Sequence, residues 1–146
     1  MAEETIIPFG ARCWYWWGLS CNYWGTRTHS KALFQEAINS FGRAIKRAPV
    51  FAAAYYERGH IRGRELSQTE EAIADLSRAI ELEPDWPEPY LQRGLIERFR
   101  FHPDAALRDL QKFINLGGDN GWREEAEYQI RSLLEERRTN QVISME

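Results

Sequence analysis

The stretch 52–86, AAAYYERGHIRGRELSQTEEAIADLSRAIELEPDW, decides the fold. It runs Tyr55-x-x-Arg58-Gly59, then Ala72-x-x-x-Leu76-x-x-Ala79, then Pro84. Small and large apolar residues recur at three- and four-residue steps, the period of a helix. The same order returns downstream, where Tyr90-x-x-Arg93-Gly94 precedes Ala106-x-x-x-Leu110-x-x-Phe113. It returns upstream as Ala37-x-x-x-Phe41-x-x-Ala44, followed by Pro49. Pro49 and Pro84 stand 35 residues apart, as do Gly59 and Gly94, while Ala72 and Ala106 stand 34 apart. A helical pattern with that period specifies stacked helix pairs, in which small residues let the helices of a pair approach and large ones fill the space between pairs.

The pattern resembles the tetratricopeptide repeat, W-x2-L-G-x2-Y followed by A-x3-F, A and P over 34 residues. Tyr55 stands for the Trp and Arg58 for the Leu, and one extra residue falls in the turn around Ser67–Gln68. In the third copy Gly118 takes the place of the final proline. The first copy admits two registers. Either Gly25 is the repeat glycine, or Trp14-x-x-Trp17-Gly18-x-x-Cys21 supplies it and Gly25 closes the first helix as a turn residue. The second register is preferred. It lengthens the second helix backward by two turns, with Thr28 or Ser30 as cap. The resemblance implies an all-α, right-handed α-solenoid of three hairpins, with repeats at about 11–51, 52–86 and 87–120.

Helices are expected near 10–24, 28–47, 51–65, 69–82, 87–101 and 103–116. Residues 1–10 form an extended lead, with Ile6, Ile7 and Phe9 packed on the first helix. A seventh helix over about 122–138 carries Trp122, Ala126, Ile130, Leu133 and Leu134 on one face and caps the apolar end that a solenoid leaves open. Residues 139–146 read as a flexible tail.

Composition narrows the function classes. The 146 residues carry a net charge of −3, and 43% are apolar. Residues 74–146 hold ten Lys/Arg against fifteen Asp/Glu, a balance that disfavours nucleic acid. The start MAEETIIPFG lacks the basic region of a secretion signal, and the apolar stretch from Phe9 to Gly25 is short and interrupted by Arg12, so a cytoplasmic chain is expected. Cys13 and Cys21 on one helix are separated by about 12 Å of rise, beyond the roughly 7 Å a disulfide spans. They read as two small buried residues. With His29 they match no compact metal-ligand spacing. Phosphate loops and nucleophile motifs are absent, so no enzymatic activity, cofactor or metal is expected.

The resemblance also implies where a partner binds, because the first helix of each pair lines the concave side. Inward positions are Arg12, Tyr15, Trp16, Leu19, Asn22 and Tyr23 in the first copy. The second supplies Ala53, Tyr56, Glu57, His60, Gly63 and Arg64, and the third Glu88, Leu91, Gln92, Leu95, Arg98 and Phe99. Arg64 and Arg98 are expected to pair with carboxylates of a ligand. One subclass grips a partner's terminal carboxylate with Lys, Asn and Arg. The matching positions here hold Tyr15, Leu19, Glu57, Glu88 and Gln92, so that clamp is not expected. Arg58 and Arg93 belong to the helix interface. Trp14 and Trp17 are expected to face the core, leaving Trp16 and Trp24 exposed. The reading is a non-enzymatic adaptor holding a peptide or helix of another protein. A second copy of the chain, joined through the aromatic first helix, is the rival partner, and a membrane surface is disfavoured.

Overall fold

The computed structural model describes residues 6–119 and 121–144. Its helices are α1 (Phe9–Thr28), α2 (Lys31–Arg47), α3 (Ala52–Arg64), α4 (Thr69–Leu82), α5 (Pro87–Phe99), α6 (Pro103–Asn115) and α7 (Arg123–Ile143). No strand occurs among the described residues. The chain divides into two compact units, Met1–Pro84 and Asp85–Glu146.

In the first unit α1 pairs with α2, α3 with α4, and α2 packs on α3. Cys21, Phe34, Ala37, Ile38, Phe41 and Ile61 form its core, with Tyr15, Leu19 and Leu66 packed on the rim. Ala37, Ala72, Phe41 and Leu76 have no exposed surface, which is what the repeat pattern demands of its small and large positions. In the second unit α5 pairs with α6 and α6 with α7. Ala106, Leu110 and Phe113 are fully buried there.

The register of the first hairpin follows from its glycines. A Cβ on Gly18 would meet the Phe41 ring at 2.7 Å. Gly59 meets Leu76 and Gly94 meets Leu110 in the same way, so Gly18 is the repeat glycine. Gly25 is not the expected turn residue. It is buried inside α1, and a Cβ there would meet Phe34 at 3.0 Å. α1 runs ten residues past Gly18, whereas α3 and α5 run five past Gly59 and Gly94. α2 begins six residues before Ala37, whereas α4 and α6 begin three before Ala72 and Ala106. The first hairpin is therefore longer by five residues in α1 and three in α2, about two turns between them. Ser30 caps α2, its hydroxyl accepting from the Leu33 N–H at 3.4 Å.

The turns within the hairpins use left-handed residues that are not glycine: His29 (φ 52), Ser67 (φ 55) and Phe101 (φ 60). Each sits immediately before the N-cap residue of the next helix, Ser30, Gln68 and His102. The following N–H bonds back to the preceding helix, Ser30 to the Gly25 carbonyl, Gln68 to Arg62 and His102 to Glu97. These bonds satisfy carbonyls that a helix end leaves open. Four residues separate α3 from α4 and three separate α5 from α6, which accounts for the extra residue of the second copy.

Other expectations need correction. Phe9 opens α1 rather than lying in an extended lead, and Ile6 and Phe9 are exposed instead of packed. Residues 1–5 of that lead fall outside the described residues. Trp17 is more than half exposed; only Trp14 turns inward, half-buried beneath the Arg43 guanidinium at 4.4 Å. Cys21 is buried but Cys13 is exposed, and both are free thiols. α7 continues to Ile143, five residues past its expected end.

Candidate functional site

The first-helix positions of the first unit fall into two sets. Tyr15 and Leu19 turn toward the core rim. The Tyr15 ring packs 4.8 Å from Phe51 and 5.7 Å from Phe41, measured between centroids. Trp16, its ring 6.0 Å from Tyr15 and edge-on to it, and Tyr23 stand exposed, as do Trp17 and Trp24. Arg12 is exposed and Asn22 half-buried.

On α3, Tyr56, Glu57 and His60 are half-buried while Arg64 is exposed. The Tyr56 and His60 rings stack at 6.0 Å with planes 20° apart. The Arg64 Nε lies 3.4 Å from the neighbouring Glu65 carboxylate, a loose surface pair. Burial raises the Glu57 carboxyl above the ordinary carboxylate value. Burial also pushes the Tyr15 phenol up to about 12, and the Glu57 charge adds to that. His60 is lowered by burial and then by Arg64. Tyr15, Glu57 and His60 therefore form a partly desolvated polar strip in which burial disfavours the charged form of each group. No lysine or arginine pairs with Glu57 among the described residues.

In the second unit the expected set comes apart. Gln92 and Leu95 are half-buried and Glu88 lies with them on α5. Leu91 is 1% exposed, part of the packed interior with no surface to offer a partner. Arg98 is already engaged. Its guanidinium donates to Glu136 at 2.7 Å, to Ser132 at 3.0 Å and to Gln129 at 3.0 Å, fastening α5 to α7. Phe99 is 81% exposed. Two clefts flank α6 and α7, one of about 330 Å³ lined by Leu107, Leu133 and Gln141, the other lined by Leu107, Ile130 and Leu134. None of the expected inward residues lines either cleft.

The strongest polar contacts were only half read from sequence. Arg58 and Arg93 lie at the helix interface as expected, but each forks onto a buried aspartate. Arg58 donates to both Asp75 oxygens at 2.9 and 2.7 Å, and Arg93 to those of Asp109 at 2.7 and 2.8 Å. Arg62 adds a third bond to Asp75 at 2.7 Å. The signal was present in both copies: an arginine just before the repeat glycine and an aspartate just before the large residue of the second helix. The first copy has Trp17 and Ser40 instead, and Ser40 turns its hydroxyl to the Glu36 carbonyl at 2.8 Å. These pairs serve the hairpin, not a ligand.

Among the described residues no three His, Cys, Asp or Glu side chains group as a metal site. No helix of the described residues is long and apolar enough to cross a membrane.

Residues 62–96 match the tetratricopeptide-repeat family model. No curated protein matches the chain by sequence. Solved structures do match. The Sgt2 TPR domain from Aspergillus fumigatus superposes with a TM-score of 0.74 at 15% identity, over 97% of this chain and 87% of that one. The Arabidopsis OM64 TPR domain gives 0.73 at 22%, over 84% and 95%. The first TPR of Spaghetti (RPAP3), bound to HSP90 peptide SRMEEVD, gives 0.67 at 19%, over 83% and 93%.

Proposed function

From the premise that the chain is a tetratricopeptide-repeat protein, an all-α solenoid of such hairpins, we propose that it is a non-enzymatic interaction module. It holds a peptide segment of another protein on the face formed by α1 and α3 of the first unit. The observation that carries this reading is the strip of Tyr15, Tyr56, Glu57 and His60. Aromatic rings and hydrogen-bonding groups there are only partly desolvated, so a ligand completes their burial.

The same strip indicates the partner's chemistry. The structural relative named above is bound to a peptide with the acidic sequence EEVD. Here Glu57 and Tyr15 hold positions where an acid-gripping face would carry Lys and Asn. A carboxylate beside aromatic rings favours a lysine or arginine side chain, through charge and through the ring faces. The partner segment is therefore basic with an apolar neighbour. Arg98, tied to α7, takes no part in holding it.

Fluorescence polarisation with a panel of labelled peptides of graded charge tests this. Basic peptides bind the wild type, and Glu57→Gln and Tyr56→Ala each weaken them about tenfold, roughly 1.4 kcal/mol, with helicity unchanged. Equal affinity of wild type and Glu57→Gln for every peptide in the panel overturns the assignment.

A further inference from the structure

The least explained feature of the first unit is the outer face of α1. Phe9, Trp16, Trp17, Tyr23 and Trp24 are 74%, 64%, 54%, 57% and 56% exposed. At 100° per residue, their spacing of seven and eight places all five on one side of the helix, opposite Gly18 and Gly25. Cys13 and Ser20 fall on the same side between them. Exposed aromatic surface of this extent marks an interface.

We propose that α1 is a dimerisation element, its aromatic face packing antiparallel on α1 of a second copy across a two-fold axis between Trp16 and Trp17. The order of residues is what selects a second copy over a foreign partner. Counting outward from the midpoint of Trp16 and Trp17, the face reads large, small, large in both directions: Trp16, Cys13, Phe9 one way and Trp17, Ser20, Trp24 the other. A two-fold interface presents the same surface from both copies, and apart from Tyr23, whose counterpart is Gly10, the size order of this face is the same in both directions. Antiparallel pairing sets Phe9 against Trp24 of the second copy, Cys13 against its Ser20, and Trp16 against its Trp17. The space left where Cys13 faces Ser20 lies between the two sets of rings.

Area and charge agree. Large aromatics present about 200 Å² each, so five at roughly six-tenths exposure offer about 600 Å². Cys13, Ser20 and neighbouring arginine stems bring this near the roughly 800 Å² per partner of a stable interface. α1 contains no acidic residue, and its cations are Arg12 and Arg27. In the antiparallel register the closest like charges of α1, Arg12 and Arg27 of the second copy, stand about 9 Å apart along the axis, close to the Debye length of about 8 Å, so no two of them come into contact. The five-residue extension of α1 supplies Trp24; at repeat length α1 would end at Tyr23. The Trp16 ring stands 6.0 Å from that of Tyr15, so the two surfaces adjoin there, while Trp17 and Trp24 lie off the Tyr15–Glu57 strip and separate this interface from the peptide reading.

Sedimentation velocity of the full chain from 1 to 100 µM tests the proposal. A dimer is expected, and Trp17→Glu and Trp24→Glu, both at exposed positions, each yield a monomer of unchanged helicity. The register has its own test in Ser20→Cys. Cys13 and a thiol at position 20 on one helix are about 10 Å apart, too far for an internal disulfide. Mild oxidation of this variant should join two chains rapidly, while the wild type, whose Cys13 residues stand about 10 Å apart across the axis, joins slowly. A monomer at 100 µM overturns the proposal. So does a dimer that survives both glutamate variants, or a monomer whose tryptophans blue-shift on phosphatidylserine vesicles, which assigns the face to lipid.

Discussion

At the scale of single residues, the forks of Arg58 on Asp75 and Arg93 on Asp109 decide how firmly two of the hairpins close. Each aspartate is buried and each arginine is partly open to water, so desolvation is incomplete and the paired geometry is net favourable. Asp109→Ala leaves Arg93 facing a void where its carboxylate stood, and should cost about 2 kcal/mol in chemical denaturation. The double change Arg93→Leu with Asp109→Leu should recover most of that loss, because the carboxylate and the guanidinium that faces it are removed together. Gly118 is a second residue with no substitute. A Cβ there would lie 2.2 Å from the Phe113 ring, while its N–H donates to the Phe113 carbonyl at 2.9 Å. The sequence showed only that a glycine replaces the usual proline.

At the scale of elements, the hairpin turns are strained in a way composition hides. Phe101 holds φ 60 and is 90% exposed, so its ring contributes little packing to offset the backbone cost. Phe101→Gly should raise stability by about 0.5–1 kcal/mol, the relief of left-handed strain less the entropy of glycine. A fall in denaturation midpoint would instead mean that the ring is held by contacts with value of their own. Helix lengths were legible where the repeat pattern was strict, as in α4, expected at 69–82 and found at Thr69–Leu82. They were misjudged in α1 because Gly25, taken for a helix stop, is a close-packing residue. Only the position of Phe34 distinguishes those two uses of a glycine.

At the scale of the whole molecule, the polar strip ties stability to pH. Glu57 is raised above its ordinary 4.5 by burial, so its contribution is complete below that value and is lost as pH rises through the raised value. His60 is lowered from 6.5, so its contribution is complete above that value and is lost as pH falls through the depressed one. Tyr15 adds stability that is present below 10 and lost as pH rises through about 12. Glu57→Gln should therefore be more stable than the wild type near pH 7, with the difference closing near pH 4. Urea melts of both proteins across that range check it, and a constant difference would show that Glu57 is well solvated. A gain of stability at the cost of basic-peptide affinity is what a binding face implies.

The amino-acid order by itself determined the repeat, its period, the buried alanines and large apolar residues, and the helix pairs they build. It could do so because each of those choices is local: spacing along one helix fixes one face, and the face fixes the pairing. What the order could not decide was which way a side chain turns once two faces compete for it. Arg98 was expected at a ligand and is spent on Glu136, Leu91 was expected on a surface and is buried, and Trp17 was expected inside and stands in solvent. Those outcomes depend on what a distant segment places opposite the side chain, and only tertiary packing supplies that neighbour.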